Sequence, residues 1–289
     1  MRLNGTVPAE PSPTSVGDHD NDGIPDRMAK FSRAAVRGER HDSGHLPIVR
    51  GRMRLAALVS GGKDSSWCLW KASQQGHTVA CLVSLRPENP DSYMFQSQNV
   101  HLTDLFAEAC GLPLIVERTP GEKERELEDL RRALARAKER GCEGVVAGAV
   151  ASRYQKERVE TLCRGLGLAL VAPLWGADPL PMLREVARDP WHVLFVHVAA
   201  LGLGPEWLGR RLDDAAVGEL LRLRSRHGLH VSGEGGEYET LVLDAPFFRK
   251  RIEILRAERS WKGDRGTLFV REARLAAKEV PGPPRPKNF

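Results

Sequence analysis

The sequence predicts an α/β protein: an open parallel sheet followed by a second, smaller α+β domain. Three observations lead there. From Arg54 to Gly176, short apolar β-rich runs alternate with longer helical ones, which is the pattern of βαβ units. A glycine pair, Gly61-Gly62, sits where the first of those strands meets the first helix. After Pro173-Leu174-Trp175-Gly176 the alternation gives way to closely spaced strands and a single helix.

Residues 1–52 come first and differ from the rest. They are rich in Pro, Gly, Ser, Asp and His and show no periodicity, so they bury little and read as a disordered tail. Met53 stands just before the first convincing strand and is read as the natural start. Within the tail, Asp18-His19-Asp20-Asn21-Asp22-Gly23 resembles a calcium loop, but Ala29 occupies the twelfth position where such a loop needs Glu, so a solvated acidic turn is the better reading.

Strands of the first domain, residues 53–178, are expected at 55–60, 78–85, 112–116, 144–149 and 168–172, with helices at 65–76, 100–110, 122–140 and 155–165. Leu127, Leu130, Leu134 and Ala137 follow helical spacing and make an apolar stripe on an otherwise charged helix, which should lie against the sheet. In the second domain, residues 179–275, strands are expected at 192–199, 240–243, 251–261 and 267–275, with a helix at 213–227. Residues 276–289 read as a Pro-rich tail.

Composition narrows the function classes. The 289 residues are 41% hydrophobic and 28% charged, ordinary for globular chains. Cys68, Cys81, Cys110, Cys142 and Cys163 form an odd set without a CxxC pair, against a disulfide framework and the common zinc or iron-sulfur spacings. A reducing cytoplasm is therefore the expected compartment. No run of about 18 apolar residues and no signal-peptide core are present, so neither membrane spanning nor secretion is expected. The formal charge is +5, of which +1 falls in residues 1–52 and +2 in 276–289, leaving +2 over 53–275. Basicity is thus no argument for nucleic acid. The scattered histidines at 77, 101, 192, 197, 227 and 230 form no metal array and are read as structural or surface groups.

Ser60-Gly61-Gly62-Lys63-Asp64-Ser65 carries the most chemistry. Paired glycines let backbone N–H groups turn toward an anion, and a following helix N-terminus adds unsatisfied donors and a favourable dipole. Ser60 and Ser65 offer hydroxyls, Lys63 a cation, and Asp64 a carboxylate suited to magnesium carried by phosphates. The spacing matches neither a Walker A loop nor GxGxxG. A second segment, Gly233-Glu234-Gly235-Gly236-Glu237-Tyr238-Glu239-Thr240, puts three carboxylates in a glycine-rich loop that runs into a strand. On chemistry alone it serves equally as an acidic surface turn, a magnesium site, an ammonium site or a source of a general base.

The SGGxDS loop at the end of a first strand resembles the PP-loop of the N-type ATP pyrophosphatases. The EGGEYET segment makes the resemblance narrower: the chain is similar to the diphthine–ammonia ligase family over about Arg54 to Arg274. Further agreement lies at Asn89 to Phe95, Gly121 to Glu124, Ala147 to Gln155, Pro173 to Gly176 and Trp207 to Arg210. The resemblance implies a Rossmann-like sheet of the HUP/PP-loop type, with ATP and Mg2+ as cofactors. It implies that ATP activates the carboxylate of diphthine on translation elongation factor 2, and that ammonium supplies the nitrogen of the diphthamide product, with AMP and pyrophosphate released.

Residue roles follow from loop chemistry and resemblance together. Ser60, Gly61, Gly62 and Ser65 are expected to cradle pyrophosphate, Lys63 to offset charge, and Asp64 to hold the metal. Glu234, Glu237 and Glu239 are expected on the substrate and ammonia side, with Gly235, Gly236, Tyr238 and Thr240 beside them. Ser152 is either a phosphate contact or a helix N-cap. Tyr154 and Gln155 lie at the same strand-to-helix junction, and Ser92 and Tyr93 form a substrate lid or an ordinary turn. No glutaminase domain fits in the chain, so free ammonia is the expected donor. Homo-oligomerisation stays open. Two alternatives remain: another PP-loop ligase, such as a tRNA-modifying or small-molecule enzyme, and a nucleotide-binding sensor without catalysis.

Overall fold

A computed structural model describes residues 51–88, 98–148 and 153–278. These described residues belong to one compact unit. Five parallel strands form the first sheet, in the order β3-β2-β1-β4-β5: β1 (Arg54–Leu58), β2 (Thr78–Pro87), β3 (Leu114–Thr119), β4 (Gly144–Val146) and β5 (Ala169–Val171). Each is followed by a helix: α1 (Lys63–Gln74), α2 (Thr103–Cys110), α3 (Lys123–Glu139), α4 (Arg153–Gly165) and α5 (Pro179–Val186). Strand order reverses at β1, whose neighbours are β2 and β4. The crevice beyond the carboxyl ends of β1 and β4 is where open α/β sheets take ligands.

The alternation of strand side chains decides which helix covers which face. Ala56, Cys81, Val83 and Val145 pack with Leu130, Ala133, Leu134 and Ala137 of α3 and Val159 and Cys163 of α4. The opposite residues, Leu55 and Ala57, pack with Cys68 and Leu69 of α1 and Phe106 of α2. That second core does not stop at the helices. It continues into the antiparallel sheet, order β7-β6-β9-β8, built from β6 (His192–Val198), β7 (Tyr238–Asp244), β8 (Arg251–Lys262) and β9 (Arg265–Ala276), with α6 (Asp214–His227). Phe247 joins the layers, lying 6.2 Å from Trp70 of α1, 6.2 Å from Phe106 of α2 and 5.9 Å from Trp191.

Element boundaries differ from expectation for local reasons. The first helix begins at Lys63, inside the polar loop, because Gly62 takes the N-cap position. Val100–Leu102 is a tight turn, so α2 starts only at Thr103. Helix α5 falls outside the expected elements; Asp178 caps it, accepting from Leu180 N at 3.0 Å, and Pro179 opens its first turn. Among the described residues no helix is long and apolar enough to cross a membrane. The calcium-like run and Ser92, Tyr93 and Ser152 lie outside the described residues.

Candidate active site at the junction of the two sheets

The glycine turn is built by its position between two strands. After β1, Val59 N donates to Val83 O at 2.9 Å, holding the chain on the sheet until Ser60. Gly61 then adopts φ +89°, a left-handed conformation that side chains disfavour. Gly62 N donates to Ser60 Oγ at 3.4 Å, and the Gly62 carbonyl accepts from Ser65 Oγ at 3.2 Å and Ser66 Oγ at 2.7 Å. Those hydroxyls stiffen the loop from beneath. The first turn of α1 meets β4 at Gly148, where an added Cβ would lie 2.6 Å from Ser65 N, 2.8 Å from Ser65 Cα and 2.9 Å from Asp64 C. Only glycine lets the backbone after β4 come this close.

The acidic segment is held against this loop. Val242 N of β7 donates to Gly61 O at 2.9 Å, and Lys63 N donates to Thr240 Oγ1 at 3.1 Å. Leu241 Cδ1 approaches the face of Gly61 to 3.5 Å from where a Cβ would stand. Glu237 is pinned from both ends: its Oε1 accepts from His230 N at 2.9 Å and its carbonyl accepts from Ala199 N at 2.8 Å. The segment before β7 is therefore a tied turn, with Gly235 and Gly236 exposed at its tip. Glu234 is part-buried in the same turn.

Lys63 is the hinge between the two motifs. It is 2% exposed, and its ammonium donates to Asp64 Oδ2 at 2.9 Å and to Ser232 O at 2.6 Å, with the Tyr238 ring 4.9 Å beneath. This differs from a lysine reaching out to offset phosphate charge, because its charge is spent inside the protein. Tyr238 and Thr240 also sit differently from substrate-facing groups. Both are 2% exposed; the Tyr238 hydroxyl donates to Val231 O at 2.6 Å, and Thr240 supports the Lys63 amide. Burial, with Asp64 and Glu237 nearby, holds the Tyr238 phenol protonated well past its usual range.

What stays unpaired beside the two motifs is carboxylate. Asp64 Oδ1, Glu237 Oε2 and Glu239 Oε2 are buried oxygens with no hydrogen-bond partner. Burial pushes the Glu239 carboxyl up to about 7, against the lowering influence of Lys63. Such a carboxyl exchanges protons near neutrality, which suits a general base. Asp64, in the first turn of a helix whose first N–H groups have no intrahelical carbonyl, matches the usual magnesium arrangement of a single protein carboxylate plus phosphate oxygens. Among the described residues no cluster of three or more His, Cys, Asp or Glu gathers to hold a metal without such help. Cys68, below the loop, is buried and its thiol pushed far up, so it is inert packing.

Sequence reasoning missed Gly148 as a structural requirement of the loop, although it stands at the end of a strand that neighbours β1. It also treated His197 and His230 as unrelated to the site. His230 sits in the acidic turn, its Nδ1 3.0 Å from Ser232 Oγ, and His197 pairs with Glu239 across the strands. Only the backbone of Tyr154 and Gln155, in the first turn of α4, is described.

With this geometry in place, the comparisons are specific. A family model described as "Diphthamide synthase N-terminal domain" matches residues 53–170, and one described as "Diphthamide synthase C-terminal domain" matches residues 178–276. The chain is 40% identical over 225 residues to a Rattus norvegicus protein named diphthine–ammonia ligase, covering 70% of this chain and 83% of that one. The Homo sapiens protein of that name is 40% identical over 222 residues, again 70% and 83%. A larger Saccharomyces cerevisiae protein of the same name is 31% identical over 264 residues, which cover 79% of this chain and 38% of that one.

Proposed function

We propose, from the premise that the chain belongs to the diphthamide synthase family, that it is an ATP-dependent ligase forming an amide from a carboxylate and ammonia. Its substrate on this reading is diphthine on translation elongation factor 2, its nitrogen donor is ammonium, and its products are diphthamide, AMP and pyrophosphate. The observation that carries the reading is the direct bonding of the glycine turn to the acidic strand, through Val242 N to Gly61 O at 2.9 Å and Lys63 N to Thr240 Oγ1 at 3.1 Å. A two-step reaction needs the activating nucleotide and the incoming nucleophile at one carbon, and this junction supports both within one rigid frame.

In the first step the amides around Gly61, Gly62 and the start of α1 would bind the phosphates of ATP, and Asp64, whose Oδ1 has no hydrogen-bond partner, would hold Mg2+, which would supply neutralisation of the phosphate charge. Ser60 and Ser65 keep the turn open, and Lys63 fixes Asp64 relative to Ser232. Adenylation of the substrate carboxylate makes AMP the leaving group. In the second step Glu239 takes a proton from ammonium, freeing the lone pair that attacks the activated carbon; Glu234 and Glu237 hold the ammonium ion beside it. The test is direct: purified protein with ATP, ammonium and diphthine-bearing elongation factor should yield AMP and pyrophosphate in equal amounts with diphthamide. ATP binding without AMP formation would leave a nucleotide sensor in its place.

A further inference from the structure

The antiparallel sheet carries a polar row where its neighbours are apolar. Glu239 of β7 stands opposite His197 of β6, His197 opposite Thr267 of β9, and Thr267 opposite Ser260 of β8. Directly opposed residues on a sheet face stand about 4.5–5.5 Å apart at Cβ. His197 is brought to this place by a register irregularity: Phe195 pairs with Thr240 but His197 pairs with Glu239, so one extra residue is accommodated on β6. The effect is that Phe195 packs on Tyr238, ring centroids 5.0 Å apart, while His197 stands opposite Glu239 in the ladder; bulges near active sites often re-aim side chains this way.

The row is ordered. His197 Nδ1 lies 2.8 Å from Thr267 Oγ1, and Thr267 is 8% exposed. His197 itself is half-buried and Ser260 exposed, so the row runs from a buried carboxylate oxygen without a partner to solvent. A buried polar group costs free energy unless it is satisfied or used, and Glu239 Oε2 is unsatisfied. The charged groups nearby are Lys63 on the Glu239 side and Arg265 on the His197 side. Burial raises the carboxyl while burial and Arg265 lower the imidazole, so His197 rests neutral and the protonated form of its ring is short-lived.

We propose that His197 is the relay by which Glu239 is returned to its basic form in each turnover, with Thr267 fixing the imidazole ring. The inference rests on the proposed ligase reading, in which Glu239 deprotonates ammonium. Amidation sheds two protons, one from ammonium before attack and one from the attached nitrogen as AMP leaves. Each is taken by the Glu239 carboxylate, passed from the carboxylic acid to His197 and given by the imidazolium to water or buffer base, so that both side chains are restored. His197 touches neither ATP nor the reacting carbon, so it is a positioning and relay residue.

The experiment measures AMP formation by the full chain with ATP, ammonium and diphthine-bearing elongation factor in weak buffer, with and without added imidazole. Adenylation is followed separately as ATP–pyrophosphate exchange in the absence of ammonium. For His197→Gln, kcat is expected to fall by roughly tenfold or more, with exchange and the KM for ATP unchanged, and to recover on adding imidazole. Thr267→Val, which keeps the imidazole but removes its hydroxyl partner, should give a smaller fall and partial rescue. The relay is overturned if His197→Gln keeps full kcat in weak buffer, if imidazole restores nothing, or if exchange falls in step with amidation in both variants. Wild-type protein that makes no AMP would fail the ligase reading itself and take the relay with it.

Discussion

Gly148→Ala is the substitution on which the geometry of the glycine turn can be judged most sharply. The added methyl would sit 2.6 Å from Ser65 N, 2.8 Å from Ser65 Cα and 2.9 Å from Asp64 C, and all three are backbone atoms. No side chain can swing away. Ordinary contact begins near 3.4 Å, so the first turn of α1 must retreat by about 0.8 Å or the exit of β4 must bend. Overpacking of this kind costs about 1–3 kcal/mol, which for a domain of this size lowers Tm by roughly 2–12 °C. The larger effect is on chemistry. The atoms displaced are those of Asp64 and Ser65, and misplacing reacting groups by about 1 Å costs on the order of 100-fold in rate. ATP–pyrophosphate exchange and a thermal melt should therefore both change, with kcat/KM for ATP falling far more than stability. A variant with wild-type exchange and unchanged melting would refute the close approach of β4 to α1 and with it the placement of the nucleotide.

Asp64→Ala removes the only carboxylate of the glycine turn and should reduce turnover at least 1,000-fold while the fold is retained, as checked by AMP formation and circular dichroism. Lys63→Met leaves Ser232 O and Asp64 Oδ2 without their shared ammonium, and denaturant unfolding should show a loss of about 1–3 kcal/mol, reduced by the solvent that reaches Asp64. Glu239→Gln has the opposite sign for stability. The folded carboxyl titrates at about 7 against an ordinary 4.5, so its stabilising contribution is present below pH 4.5 and is lost as pH rises toward 7. The Gln variant should abolish that slope and be more stable than wild type at pH 8 by on the order of 2–3 kcal/mol, yet lose amidation, measured by urea titrations across pH and by AMP release.

Most of the scaffold was legible because its signals are local. The apolar stripe at Leu130, Leu134 and Ala137 does lie in the core against the sheet, and the parallel strands fall where short β-rich runs were seen. Helix α5 was not legible: it has only eight residues, two of them proline, and its signal is the Asp178-Pro179 start rather than periodicity. The glycine turn and the acidic segment could be named from sequence, but the direction of Lys63 could not. Lys63 and Ser232 are 169 positions apart, and nothing in the loop alone says that the ammonium turns inward to that carbonyl. Likewise the pairing of His197 with Glu239 depends on one extra residue in β6, and a shift of one residue would have placed the imidazole on the other face.

On the proposed ligase reading, the electrostatic problem of the site is that ATP, a carboxylate substrate and three glutamates would share one crevice in a segment whose net charge over residues 53–275 is only +2. Bulk charge cannot solve it. The protein instead arranges the charges by depth. Lys63 neutralises Asp64 internally, so the pair presents little net field to the phosphates while Oδ1 stays available for a cation. The Glu239 carboxyl, pushed up by burial to about 7, carries less negative charge near neutrality than an ordinary glutamate, which would weaken its repulsion of the nucleotide during adenylation. An arriving ammonium ion then favours the ionised form, and the base is charged when its partner is present. A site built this way should bind ATP more tightly as pH falls below 7 and amidate faster as pH rises through it. These opposed trends separate the two half-reactions in a single pH series of exchange and AMP release.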